Sequence, residues 1–262
     1  MQEELSVLRP MEIGDIFDEA FTLYKKNFVT FFGIAAIVYI PFEILSYMLI
    51  LSSAQPVQGQ VDPTILLVAL GGVLILMLSL NFTNAALTKA ISDSHTGEQT
   101  SIGSAYGNIL VRAFPLIITL LLVGLLVSIG YMLLIIPGIL LTFMAVFVSQ
   151  VFVVEDRRYF DAFSRSRELA KENWMRIFII AIIGAVINGV VGFGSEWLGG
   201  MLSNSPVILG VITGLANSFV LPIVSAAYVL LYFDIRVRKE GFDLELLARE
   251  MQTPGYSRSQ QM

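Results

Sequence analysis

Apolar residues run along this chain in long unbroken blocks rather than in the stripes or alternation of a water-soluble fold. About six blocks stand out, near 28–51, 64–91, 113–134, 137–154, 174–198 and 206–235. Runs such as Leu116–Leu134 are apolar on every face of a helix, which argues against a soluble bundle whose helices carry one core-facing stripe. Each block reaches or approaches the ~20 residues a helix needs to cross ~30 Å of hydrocarbon. The pattern predicts an all-α polytopic membrane bundle with six transmembrane helices.

Between the blocks lie three stretches with helical amphipathic spacing. In Ile13–Lys26, Ile13, Ile16, Phe17, Ala20, Phe21, Leu23 and Tyr24 take one face, and Asp15, Asp18, Glu19 and Lys25 take the other. Its acids come early and its lysines late, the order that suits the helix dipole. Ser101–Arg112 is weaker and less charged. Tyr159–Glu172 sets Phe160, Phe163 and Leu169 against Arg165, Arg167, Glu168 and Lys171. Helices of this kind bury an apolar face in the headgroup boundary, so the three are expected to form an interfacial collar. The first and third also match at a fixed offset: Asp15, Phe17, Leu23, Lys25, Asn27 and Phe28 align with Asp161, Phe163, Leu169, Lys171, Asn173 and Trp174. That match suggests units of one interfacial helix followed by two spans.

Charge orients the bundle. The connections around 52–63, 135–136 and 199–205 hold no Lys or Arg, and all sixteen basic residues fall on the other side. Positive residues near span ends stay cytoplasmic, which places both termini inside. Hydrophobic residues make up 56% of the chain and charged ones only 14%, far from an ordinary soluble domain. The net charge of −5 says little about partners, because acids share the same segments as the bases. The mixed surface does not resemble a nucleic-acid stripe. Cysteine is absent, which removes disulfides, thiolate nucleophiles and Cys-based zinc sites. No cleavable signal peptide is visible, and the first span is expected to serve as its own insertion signal. Residues 1–252 read as a single membrane domain and 253–262 as a polar tail.

The breakers refine the layout. Pro41 is expected to kink the first span or end its regular part. Pro137-Gly138 marks a turn between the third and fourth spans, with Pro137 opening the fourth. The last span, near 206–235, is ~45 Å long as a helix. It must tilt, break near Asn217–Pro222 or project beyond the membrane, and its YFDIRVR ending favours projection.

Few residues offer chemistry. The single histidine, His95, reads as a solvated loop residue in SDSHTGEQ. No phosphate-binding loop, HExxH, GxSxG or paired metal-binding His appears, so no enzyme, cofactor or metal is expected. Glu43 and Glu196 fall in the outer halves of their spans. Asn81, Asn84, Gln150, Asn188 and Asn217 are the other polar side chains at depth. Hydrogen bonding between helices accounts for them; a polar cavity near Glu43, Asn81, Asn84 and Gln150 would instead indicate a transporter or lipid translocase. Gly210 and Gly214 have the small-xxx-small spacing of close helix packing, within one chain or between copies. The densest charge is at the span ends. Asp15, Asp18, Glu155 and Asp234 read as an ion-pair collar, and Arg165, Arg167, Arg236 and Arg238 as lipid-headgroup or partner-binding candidates.

The opening LRPMEIGDIFDEAFTLYKKNF, the central IIPGILL, the segment VFVVEDRRYFDAFSRSRELAKENW and the closing YVLLYFDIRVRKEGFDLE resemble one family. It is the membrane domain attached to some glycerophosphoryl diester phosphodiesterases, with stand-alone bacterial and archaeal relatives. The similarity spans nearly the whole chain. It places Arg9, Pro10, Gly14, Asp15, Asp18, Pro137, Gly138, Glu155, Ser166, Arg167, Trp174, Tyr232, Asp234 and Arg236 at the family's characteristic positions. The resemblance implies a multi-span helical module of the prokaryotic cytoplasmic membrane. No phosphodiesterase barrel is expected, since about 25 residues follow the last span and that enzyme's histidines are missing. The expected role is non-enzymatic. The module would bind or organise membrane lipids, anionic ones included, or other membrane proteins, further copies of itself among them.

Overall fold

The computed structural model describes residues 11–53, 63–203 and 205–240, with side chains described outside 50–78. Every regular element among them is a helix: α1 (Ile13–Lys26), α2 (Phe28–Ser53), α3 (Pro63–His95), α4 (Ile102–Val111), α5 (Ala113–Leu133), α6 (Ile135–Met144), α7 (Val148–Glu155), α8 (Tyr159–Ala170), α9 (Trp174–Leu202) and α10 (Pro206–Glu240). The expected tail at 253–262, and Arg9, Pro10, Arg249 and Arg258, lie outside the described residues.

Among the described residues, five segments are long and apolar enough to cross a membrane, one fewer than expected: Phe28–Leu49, Ala113–Leu133, Ile135–Glu155, Trp174–Leu202 and Pro206–Glu240. The remaining expected block, 64–91, falls on α3, whose side chains lie outside the described residues as far as residue 78. The architecture is an all-α membrane bundle built round α10, which packs on α2, α9 and α3, with α2 also on α3.

Close backbone approach holds α2 to α10. A Cβ on Gly210 would overlap Ile44 Cα, and one on Gly214 would sit 2.7 Å from Ile40 Cα. The small-xxx-small pair therefore serves packing within the chain. In hydrocarbon no hydrophobic force draws helices together, so dispersion contact at small residues does so. Pro41 and Pro222 both lie inside continuous helices rather than ending them.

α10 is one unbroken helix of 35 residues, ~52 Å long, well beyond what a bilayer needs. The excess projects from the bundle, and α1, α8 and the end of α3 surround it. From Val224 to Arg236 nearly every side chain is buried, including Tyr232, Phe233 and Asp234. The apolar faces of α1 and α8 are spent here: Ile16, Ala20, Leu23, Ala162 and Leu169 join a protein core. α1 packs its share of these residues on α10, and α8 packs its own on α5, α6 and α7, while Phe21 and Phe160 of the same two helices stay exposed. α1 and α8 end alike, with the side-chain amides of Asn27 and Asn173 donating to Leu23 O at 3.2 Å and Leu169 O at 3.1 Å.

The expected fourth span, 137–154, is not one helix. It divides into α6 and α7 across Ala145–Phe147, where no Pro or Gly signals a break. Ser166 of α8 supplies the missing partners: its Oγ accepts from Phe147 N–H at 3.0 Å and donates to Met144 O at 2.6 Å. The turn before α6 is the single residue Leu134, and Pro137 is third in the helix rather than first.

Candidate functional site at the charged end of the bundle

The helical repeat of α10 sorts its last polar residues into two columns. Tyr232, Arg236 and Glu240 recur every four residues on one side, and Asp234 and Arg238 on the other, the spacing at which helical side chains meet. Each column anchors a separate charge network.

The first network centres on Asp234, whose side chain is fully buried. Its carboxylate accepts from Met11 N–H at 2.6 Å, from Arg176 at the start of α9, and from Arg238 Nε at 3.0 Å. The Met11 carbonyl accepts in turn from Arg176 Nη2 at 2.7 Å and Arg238 Nη2 at 2.9 Å. Both backbone groups of Met11 are thereby clamped, which fixes how the chain enters α1.

The second network joins α7, α8 and α10. Arg165 Nε donates to Glu155 at 2.9 Å, Nη1 to Glu168 at 3.2 Å, and Nη2 to Glu240. Arg236 Nε donates to Glu240 at 3.2 Å, and the Tyr232 hydroxyl donates to Glu155 at 2.9 Å. Arg165 and Arg236 are 8% and 9% exposed, so neither is presented to solvent. Burial works against the charge on Arg165, yet its hydrogen bonds to Glu240 and Glu155 raise its pKa overall. Burial likewise pushes the Glu240 carboxyl up, but hydrogen bonds from Arg165 and Arg236 outweigh it and hold the group below the usual range.

The four headgroup candidates therefore part company. Arg165 and Arg236 are committed to the interior network, and Arg238 is half-exposed but spends its donors on Asp234 and Met11. Arg167 is exposed on α8, one turn from exposed Lys171. The collar acids divide as well. Glu155 and Asp234 are the network hubs, whereas Asp15 accepts from Glu12 N–H at the start of α1 at 3.0 Å and Asp18 is exposed. Arg176 and Glu240 were not singled out by sequence. The four-residue spacing of Arg236 and Glu240 was the available signal for the second; Arg176 sits at a span start where nothing local marks it.

His95 is a correction. It ends α3, is 4% exposed, and packs its ring 5.2 Å from Phe233 of α10, with no hydrogen-bond partner for either ring nitrogen. Burial pushes its pKa down to about 4. The loop reading missed it because α3 runs on past its apolar stretch to dock against the projecting end of α10.

The polar residues at depth do not gather at one site. Glu43 accepts from Asn217 at 2.8 Å, and Asn84 lies 3.4 Å from Ser225. Asn217 and Ser225 are eight residues apart on α10, ~12 Å along the helix. Gln150 is buried on α7, and Asn81 lies one turn before Asn84 on α3. Glu43 instead shares a cavity of about 430 Å³ with Ser46, Tyr47, Glu196, Gly200 and Leu209 at the end of the bundle away from the networks.

No curated protein and no solved structure matches the chain. Residues 11–235 match one family model and cover both charge networks as far as Asp234, short of Arg236, Arg238 and Glu240. On that match, the chain belongs to the family described as Domain of unknown function (DUF7847).

Proposed function

We propose that the protein is a non-enzymatic module of the prokaryotic cytoplasmic membrane, with both termini inside, that binds or organises anionic lipids or partner membrane proteins. The carrying observation is the division of labour among its arginines. Arg165, Arg236 and Arg238 brace the helices internally, and Arg167 with Lys171 remains on the outer face of α8. Basic side chains at a membrane surface attract anionic headgroups by ~1 kcal/mol each.

Mass spectrometry of the protein extracted with its native lipid patch tests this. One anionic lipid is expected to be enriched, and to be lost in Arg167→Gln/Lys171→Gln with unchanged melting. Bulk lipid composition in the wild type and the variant alike sinks lipid handling. A stoichiometric co-purifying protein moves the reading to partner organisation.

The Glu43–Glu196 cavity favours a second reading, a transporter or translocase. Its two carboxylates suit a cationic cargo group, and Glu43→Gln would then abolish uptake into vesicles while leaving the fold intact.

A further inference from the structure

The α5–α6 hairpin joins the rest of the molecule mainly through α8, and its tip reaches away from the bundle. Its arms pack on each other and on α8, and its exposed apolar side chains lie along both arms. Length and composition make each arm look like a span, yet the contacts that fix their depth say otherwise.

α8 supplies the ruler. Its exposed residues Asp161, Arg167, Glu168 and Lys171 hold it at a water-facing level. Tyr159 N–H, at its start, donates to Thr119 of α5 at 2.8 Å, and its Ser166 bonds Met144 at the end of α6. Phe143 of α6 stacks 5.8 Å from Trp174, the first residue of α9. Thr119 and Phe143 thus mark where the arms meet α8 and the start of α9, Phe143 lying ~9 Å nearer the tip. Beyond them α5 has fourteen residues to Leu133 and α6 has eight back to Ile135. At 1.5 Å per residue these reach ~21 Å and ~12 Å, short of the ~30 Å of hydrocarbon. α9, starting beside Phe143 at Trp174, runs on for ~42 Å.

The tip is built for hydrocarbon. Met132, Leu133, Leu134, Ile135 and Ile136 are 67–90% exposed, and no charged residue occurs between Arg112 and Glu155. A turn ending in water would carry polar residues. This one is a single residue whose backbone is paired on both sides: Leu134 N–H donates to Gly130 O at 3.1 Å, and its carbonyl accepts from Gly138 N–H at 3.3 Å. Internal pairing is what lipid demands of a backbone. Gly130 and Gly138 let the arms meet, since a Cβ on Gly130 would lie 3.1 Å from Gly138 Cα. The Tyr131 hydroxyl is turned back to Thr142 Oγ1 at 3.1 Å, away from the tip.

We infer that α5 and α6 form a re-entrant hairpin that enters and leaves the bilayer at the charged face. Its tip, Met132–Ile136, lies among the acyl chains of that leaflet. Four helices, α2, α3, α9 and α10, cross the membrane, and the hairpin adds apolar volume to one leaflet only. This holds whichever way the charged end faces and whatever the protein binds.

The chain has no cysteine, so single cysteines report alone. Leu134→Cys, Lys171→Cys and Ser203→Cys, each in the full chain in sealed vesicles, are exposed to a membrane-impermeant maleimide from either side. Lys171→Cys and Ser203→Cys are expected to react from opposite sides, and Leu134→Cys from neither until detergent is added. A fluorophore at Leu134→Cys is then expected to be quenched by phospholipids brominated deep in the acyl chain. Labelling of Leu134→Cys from the side that labels Ser203→Cys overturns the proposal in favour of a full crossing. Labelling from the Lys171→Cys side places the hairpin outside the hydrocarbon and also overturns it. Protection without quenching shows the tip covered by protein, a third refutation. Ile136→Cys repeats the experiment should Leu134→Cys fail to fold.

Discussion

α10 passes through two environments, and its two halves are built by different rules. From Pro206 to Ile223, exposed side chains such as Ile208, Leu215 and Phe219 alternate with the glycines that admit α2. From Val224 to Arg236 the same helix is enclosed on nearly all sides and carries a buried carboxylate, a tyrosine and an arginine. In the first half, where lipid tails are as apolar as the side chains, helices join by fitting backbone to backbone. In the second, water returns as the competitor. Apolar burial then drives assembly, and any polar group taken inside must be paired. The charged end is accordingly the part whose stability depends on single hydrogen bonds.

The sharpest way to break that contrast is Asp234→Ala. It strands Arg176 beside Arg238 and leaves Met11 N–H without its acceptor. Removing one partner of a buried pair costs about 3–5 kcal/mol. Thermal unfolding in mild detergent is expected to show a lower transition, with proteolysis beginning ahead of α1.

Acid probes the same end by a different route. The folded pKa of His95 is depressed to about 4 from 6.5, so the stability contributed by its neutral ring is complete above 6.5 and is lost as pH falls towards 4. The loss is worth up to about 3 kcal/mol across that window. Glu240 is depressed too, so its contribution persists down through the ordinary carboxylate value and fades only below it. Melting curves of the wild type and His95→Leu between pH 7 and 4.5 separate the two. The variant is expected to stay flat where the wild type falls, and parallel curves would show that His95 does not titrate within the fold.

Gly214→Leu tests the lipid half. Backbone at Ile40 cannot yield to the new side chain, so α2 and α10 must separate, at a cost of about 1–3 kcal/mol or more. Gly189→Leu on α9, where a Cβ meets open space, is the control and is expected to gain up to about 1 kcal/mol from helix propensity. Equal losses in the two variants would remove the close-packing argument. The smallest effect belongs to Arg167→Gln. An exposed side chain outside both networks should shift stability by less than about 0.5 kcal/mol, against a much larger loss for Arg236→Gln in the same assay.

Much of this architecture was legible along the chain. Blocks apolar on every face permit little but membrane helices, and the helices at 13–26, 102–111 and 159–170 lie where periodicity placed them. The projection of α10 was foreshadowed by its length and by its YFDIRVR ending. Local pattern misled where a distant residue decided the outcome. His95 looks like a loop residue among Ser, Asp and Thr, and only the extension of α3 against Phe233 buries it. The break at Ala145–Phe147 carries no breaker; a hydroxyl from Ser166, nineteen residues on from Phe147, makes it tolerable.

Hydropathy and charge placement settled the class of fold and the end at which its charges gather, because the cost of putting polar groups in hydrocarbon is paid residue by residue. Which arginines are spent inside and which are left outside is a matter of partners far away in sequence, as with Arg176 and Asp234, fifty-eight residues apart. So is depth: a run of apolar residues has a length but no position, and only its contacts with α8 and α9 set the α5–α6 hairpin against the bundle.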